Sequence, residues 1–281
     1  MNSTIIGVCG AGTMGSGIAQ VAATAGFTTI LFDLNESILH KAEEAIKSSL
    51  QKLEEKGKIS EGAKNIMSRI TFTGDVQHCK GDVIIEAIIE KREAKISLFN
   101  QLSAINTTET IFASNTSSLS ISELAKEIQQ PERFAGLHFF NPAPLMKLVE
   151  VVEGEQTSDA IIQTLLALTK QLGKTPVLCK DAPGFIVNRV ARPFYIEALR
   201  IAEEGSIALE DIDALLENRG FKLGPFKLMD LIGNDINYAV SCSVYEQLHE
   251  PDRLKPSYLQ KEKVDKKELG KKTGKGYYKY D

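Results

Sequence analysis

Through roughly the first 180 residues, short β-branched apolar runs alternate with longer stretches whose apolar positions recur at helical spacing. The runs Thr4–Cys9, Thr28–Phe32, Asp82–Ile88, Thr110–Asn115, Phe134–Phe140, Leu148–Val152 and Thr175–Cys179 predict strands. Between the earlier runs, the spacing predicts helices over Met14–Ala25, Glu36–Glu55, Lys91–Ile105 and Ile121–Ile128. Strands separated by helices imply crossover connections and a mainly parallel sheet, and the nearly continuous apolar strands call for cover on both faces.

After KDAPGFIVNR the character changes. Phe185–Gly205, Leu209–Gly220 and Pro225–Leu248 carry apolar residues at helical spacing, with almost no strand signal until the last few residues. The expected class is therefore α/β, a doubly wound mainly parallel sheet over residues 1–182 followed by an all-helical carboxy-terminal domain over 183–281. The lysine-rich stretch Lys261–Lys275 reads as a solvated terminal helix and loop.

Composition narrows the function classes. The 281 residues are 43% hydrophobic, enough for one large or two ordinary cores. A net charge of −4 offers no positive field for nucleic acid, so a phosphate-bearing ligand must be held by local features. Cys9, Cys79, Cys179 and Cys242 are widely spaced and form no CxxC pair, which points to reduced thiols and to neither a metal site nor a disulfide framework. No apolar run approaches the ~20 residues of a membrane span. The amino terminus lacks a basic start before an apolar stretch, and a glycine motif beginning at residue 10 leaves no room for a leader, so a cytoplasmic protein is expected.

That motif, GAGTMG, puts Gly10, Gly12 and Gly15 in GxGxxG spacing between a predicted strand and a predicted helix. Its mechanics are specific: the first glycine makes a tight turn, the second admits a pyrophosphate to the backbone, and the third lets helix pack on strand. Thr13 and Met14 open a helix whose unpaired amide groups favour an anion. Asp33 closes the second strand about 20 residues on, where a carboxylate binds ribose hydroxyls and repels a 2′-phosphate, favouring NAD over NADP. A mere turn beside an ordinary strand-end aspartate is the competing reading, and the joint context disfavours it. The domain is accordingly expected to be Rossmann-type.

Oxidation of an alcohol by hydride loss needs a base titrating near neutrality, and histidine supplies one. Of the four histidines, His40, His78 and His249 lie in hydrophilic surroundings, whereas His138 ends an apolar strand before the proline-punctuated loop of GLHFFNPAP. Taken alone, such a histidine is more simply a core residue bonded to a backbone carbonyl. Twelve residues later, Glu150 interrupts the apolar run LVEVV. It either pairs with His138, fixing its tautomer, or faces solvent on an edge strand, and the residues leave both open.

Together GAGTMGSGIAQ, ASNTSSLSI, HFFNPAPLMKLVEVV, DAPGFIVNR and KTGKGYYKY resemble the 3-hydroxyacyl-CoA dehydrogenase family, in its short bacterial 3-hydroxybutyryl-CoA dehydrogenase form, over essentially the whole chain. The resemblance implies NAD-dependent interconversion of (S)-3-hydroxyacyl-CoA and 3-oxoacyl-CoA. It implies His138 as catalytic base, Glu150 as its carboxylate partner, Ser117 as a donor to the reacting oxygen and Asn188 as a holder of the thioester end. For the cofactor it implies Gly10, Ala11, Gly12, Thr13, Met14, Gly15, Asp33, Glu90, Lys95, Asn115, Asn141 and Lys272, and for the acyl-CoA Ser49 and Lys56 besides Ser117. It agrees with a homodimer through the second domain, whose apolar faces exceed its own needs. Two rivals remain in view: a hydroxyacid dehydrogenase with a catalytic lysine, against which the His138 and Glu150 context argues, and a non-catalytic NAD-binding structural or sensor protein. The stretch RGFKLGPFKLMDLIGNDINYAVSCSVYE departs from the butyryl pattern and resembles versions acting on 3-hydroxyadipyl-CoA in phenylacetate degradation.

Overall fold

The structure is a computed structural model that describes residues 4–280. The chain divides into two compact units, Met1–Ala182 and Pro183–Asp281.

The first unit runs β1 (Ile5–Cys9), α1 (Thr13–Thr24), β2 (Thr28–Phe32), α2 (Glu36–Glu55), α3 (Ala63–Met67), β3 (Ile70–Thr73), β4 (Val83–Glu86), α4 (Arg92–Ile105), β5 (Ile111–Ser114), α5 (Ile121–Ala125), β6 (Phe134–Phe139), β7 (Leu148–Glu153), α6 (Asp159–Gln171) and β8 (Thr175–Lys180). These strands make one sheet in the order β3-β2-β1-β4-β5-β6-β7-β8. Every pairing is parallel except β6 with β7. The chain winds outward from β1 to the edge strand β3, then restarts beside β1 with β4. A crevice therefore opens at the carboxyl ends of β1 and β4, where doubly wound sheets bind ligands.

Three elements lie outside the expected set, the five-residue helix α3 among them. Strand β3 is the four-residue edge segment ITFT, too short for its alternation to stand out. Helix α6 supplies the crossover that keeps β8 parallel to β7, burying Ile161, Ile162, Leu165 and Leu168. Strand β4 also stops at Glu86, short of the expected Ile88. Ala87 and Ile88 leave the sheet to pack against Gly10.

Because strand side chains alternate between faces, core membership sorts the helices. Ala113, Leu137 and Phe139 share one cluster with buried residues of α1, α2 and α6. Phe112 and Phe134 point the other way, and both meet Phe99 of α4 edge-on, at 5.9 and 5.0 Å between ring centroids. The alternation puts Glu86, Ser114 and His138 on this second face, at the carboxyl ends of three adjacent strands.

The second unit is helical: α7 (Val187–Glu203), α8 (Leu209–Asn218), α9 (Pro225–Ile232), α10 (Asn234–Gln247) and α11 (Tyr258–Asp265). The single expected stretch Pro225–Leu248 is two helices because Gly233, at φ +105°, turns the chain between them. Two buried aspartates organise this unit. Asp213 accepts from the Phe226 and Lys227 amides and the Tyr278 hydroxyl at 2.8–3.0 Å. Asp230 accepts from the Asn234 side chain, the Tyr277 and Tyr278 amides and the Tyr280 hydroxyl at 2.8–3.0 Å. Hydrogen bonds to a charged group contribute about 1.5–3 kcal/mol each. Asp230→Ala, which orphans four donors, is therefore expected to cost the second unit roughly 3 kcal/mol or more. The chain has no tryptophan and all seven tyrosines lie beyond residue 183, so denaturant unfolding followed by tyrosine fluorescence reads this unit alone. An unchanged midpoint would show that the tail is held by other means. Among the described residues no helix is long and apolar enough to cross a membrane.

Candidate active site

The glycine loop joins β1 to α1, and each glycine meets a different demand. Gly10 adopts φ +99°, and a Cβ there would lie 2.5 Å from the Ala87 carbonyl oxygen. At Gly15 a Cβ would stand 1.7 Å from the Gly10 carbonyl oxygen, so only glycine lets α1 approach the strand end this closely. Gly12 is the reverse case: nothing in the protein lies within 4 Å of the space its side chain would fill. That open space faces solvent at the head of α1, beside exposed Thr13 and half-buried Met14. The first amides of α1 have no intrahelical acceptors there. A turn needed only to reverse the chain does not require an open second glycine, whereas a pyrophosphate cradle does. Asp33 completes the fit. One carboxylate oxygen accepts the Ala11 amide at 2.8 Å and the other the Asn35 amide at 2.9 Å, which aims the group at the loop and leaves lone pairs for ribose hydroxyls.

A buried ionic network ties together the segments that follow β4 and β5. The Lys95 side chain, 1% exposed, reaches Glu86 at 2.6 Å and Glu90 at 3.1 Å. Glu86 is fully buried and also accepts from the Ser114 hydroxyl and the Ile88 amide, at 2.6 and 2.7 Å. Burial pushes its carboxyl up, against the pull of Lys95 and these hydrogen bonds. One oxygen of Glu90 collects the Thr116 hydroxyl (2.5 Å), the Ser117 and Ser118 amides (3.1 and 3.2 Å) and the Ser118 hydroxyl (2.8 Å). Burial opposes its charge, but Lys95 and the hydroxyl donors outweigh burial and hold the carboxyl below the usual carboxylate range. Both carboxylates thus shape the loop that carries Ser117. Asn115, next in that loop, accepts the Phe139 amide at 2.8 Å and links it to β6.

His138 and Glu150 are direct partners in the antiparallel β6–β7 register. Residues opposed in this way hold their Cβ atoms about 5 Å apart on one face. The side chains meet with His138 Nδ1 2.7 Å from Glu150 Oε2, and they are 8% and 1% exposed. An ionised Glu150 can only accept, so Nδ1 carries the proton and Nε2 is the basic nitrogen. Phe140 lies against the imidazole with ring centroids 4.5 Å apart. Of the two openings for Glu150, the solvent-facing edge is ruled out, since β8 covers β7 on its far side.

Asn141 is exposed in the loop after β6, preceding a cis proline. Half-buried Ser49 and exposed Lys56 lie at the far end of α2 and just beyond it. Lys272 belongs to the second unit and grips both oxygens of Asp235, at 2.5 and 2.7 Å. Asn188 stands in the first turn of α7, and its backbone carbonyl accepts from buried Arg192 at 2.9 Å.

Sequence reasoning missed Glu86, Thr116 and Lys174. Glu86 carried a usable signal, since a carboxylate ending the apolar run VII is as anomalous as Glu150 in LVEVV. Lys174 donates to the Ala143 and Met146 carbonyls at 2.5 and 2.9 Å, pinning the loop after His138, and burial draws its ammonium below the usual lysine range.

Two family models match, one described as the NAD binding domain of 3-hydroxyacyl-CoA dehydrogenase over residues 5–182 and one as its C-terminal domain over 184–280. The chain is 46% identical over 281 residues to a 3-hydroxyadipyl-CoA dehydrogenase of Escherichia coli (strain K12), covering 99% of this chain but only 59% of that protein. It is 44% identical to the mitochondrial hydroxyacyl-coenzyme A dehydrogenase of Sus scrofa, covering 97% of this chain and 90% of the relative. A solved structure of (S)-3-hydroxybutyryl-CoA dehydrogenase from Ralstonia eutropha superposes with a TM-score of 0.94 at 38% identity, covering 100% of both chains.

Proposed function

The chain belongs to the 3-hydroxyacyl-CoA dehydrogenase family, and from that premise we propose that it interconverts (S)-3-hydroxyacyl-CoA and 3-oxoacyl-CoA. Its first unit is the family's NAD-binding domain. The observation that carries the reading is the buried His138–Glu150 pair at 2.7 Å on the sheet face that also bears Glu86 and Ser114. NAD, held by the Gly10–Gly15 loop and Asp33, supplies the hydride acceptor. His138 removes the hydroxyl proton as the carbon–hydrogen bond breaks, because a secondary alcohol does not ionise unaided near neutrality. Glu150 stabilises the imidazolium so formed and keeps Nε2 directed at the reacting oxygen. Ser117 donates to that oxygen, with Glu90 and Asn115 holding its loop in place. Lys95, enclosed by two carboxylates, acts through Glu90. Asn141 serves beside the cofactor, Lys272 joins it from the tail, Asn188 holds the thioester end, and Ser49 and Lys56 receive the CoA. In the reverse direction the imidazolium returns its proton.

Short 3-hydroxybutyryl-CoA is the primary substrate in this reading. The identity to the Escherichia coli relative, named for 3-hydroxyadipyl-CoA, supports that dicarboxylic chain as the alternative. Steady-state NADH oxidation with acetoacetyl-CoA and with 3-oxoadipyl-CoA decides between them by the ratio of kcat/KM. Cofactor binding without turnover of either would refute the enzymatic reading and favour a sensor. Exposed Leu215, Leu231 and Ile236 support a homodimer through the second unit. Four free cysteines support a reducing compartment, which we read as the cytoplasm.

A further inference from the structure

We propose that Glu90 sets the preference of the site between the two redox states of the cofactor, its charge favouring NAD+ over NADH. The inference rests on the NAD reading above.

Position comes first. Across the sheet the carboxyl ends succeed one another as Asp33 after β2, the glycine loop after β1, Glu90 in the segment after β4, the Asn115–Ser118 loop after β5 and His138 near the end of β6. A dinucleotide with one ribose at Asp33, its pyrophosphate at the glycine loop and its reactive ring toward the base must lay its nicotinamide half across the ends of β4 and β5. The Gly10 turn packs directly on Ala87 and Ile88, so the segment leading to Glu90 forms the wall next to the cradle.

Charge comes second. Lys95 is the cation of this network and is shared between Glu86 and Glu90. Two carboxylates with one ammonium leave one negative charge uncompensated. Lys95 and Glu86 lie wholly inside the protein, at 1% and 0% exposure, while Glu90 is 38% exposed and is the member that faces outward. Its carboxylate is held ionised by four donors on one oxygen and Lys95 on the other. The nicotinamide ring is cationic in NAD+ and neutral in NADH, so a fixed negative charge beside it stabilises only the oxidised form. At the effective dielectric of a protein surface, one such charge alters relative binding on the order of tenfold. Glu90 is thus specificity-determining for redox state, in addition to buttressing the Ser117 loop.

The test is equilibrium binding without acyl-CoA: NAD+ by calorimetry and NADH by its fluorescence, on the intact chain, on Glu90→Gln and on Glu90→Asp. Glutamine keeps the size and one acceptor oxygen but removes the charge, and at this half-exposed position it leaves the fold in place. The ratio of the NAD+ to the NADH dissociation constant is expected to rise about tenfold in Glu90→Gln, which raises the potential of the bound two-electron couple by about 30 mV. In Glu90→Asp, which keeps the charge and shortens its reach, the ratio should stay within about twofold of the parent even if both forms bind more weakly. An unchanged ratio in Glu90→Gln, or an equal shift in both variants, would overturn the proposal and leave the NAD reading intact. Failure of the unsubstituted chain to bind either form would instead remove the cofactor reading itself.

Discussion

His138→Gln is expected to lower kcat with a 3-oxoacyl-CoA by about 10²- to 10⁴-fold, the range that a positioned general acid–base supplies. Glutamine spans a similar distance and offers an amide donor to Glu150, so the buried carboxylate is not orphaned and the sheet register is undisturbed. What disappears is a group able to take up and return a proton. The dissociation constant for NADH should stay within about twofold, because the imidazole lies on β6 while the dinucleotide cradle is built from β1, α1 and β2. Turnover near the parent's level would assign the proton transfer to another residue. A parallel loss of NADH affinity would mean that the substitution distorts the crevice rather than removing a base. Glu150→Ala is the harsher change, since breaking a buried pair leaves its partner without compensation.

The second large effect separates two glycines three positions apart in the motif but opposite in physics. Gly15→Ala places a methyl 1.7 Å from a backbone oxygen. No rotamer can relieve that contact, so helix α1 and the loop must part, at a strain of about 1–3 kcal/mol. Both stability and dinucleotide affinity should fall, the latter roughly 10- to 100-fold if the strain is released by displacing the loop. Gly12→Ala puts its methyl where the protein has nothing within 4 Å. Its thermal midpoint should be that of the parent while NADH binding weakens, because the methyl occupies the approach to the backbone amides. Melting curves and NADH titrations on the two variants make the comparison. Equal stability losses would mean that both glycines serve only chain reversal.

The parts of this molecule legible in advance are those encoded locally. GxGxxG and Asp33 lie within 24 residues of one another, and their spacing carries strand, turn, helix and ribose ligand together. Helix α2 was predictable to the residue, with Asn35 capping it through the Ser37 and Ile38 amides. The His138–Glu150 pair was only half legible, because two strands must pair antiparallel, in one register, before the side chains meet. The Glu86–Lys95–Glu90 network was less accessible still. Lysine is seldom buried, and nothing local tells Lys95 from the surface lysines of neighbouring helices. Gly233 looked like one more residue in a helical stretch because its left-handed turn depends on what packs around it. Strand β3 shows the converse limit, a segment made a strand by its neighbour β2 more than by its own four residues.

His138 faces Glu150 across paired backbones, and beyond Phe140, which packs on the imidazole, and Asn141, residues 142–147 complete the connection between the strands. The proton transfer proposed for His138 thereby depends on sheet pairing more than on the conformation of the connecting loop. Changes within residues 142–147 that keep this strand pairing therefore leave the His138–Glu150 contact in place.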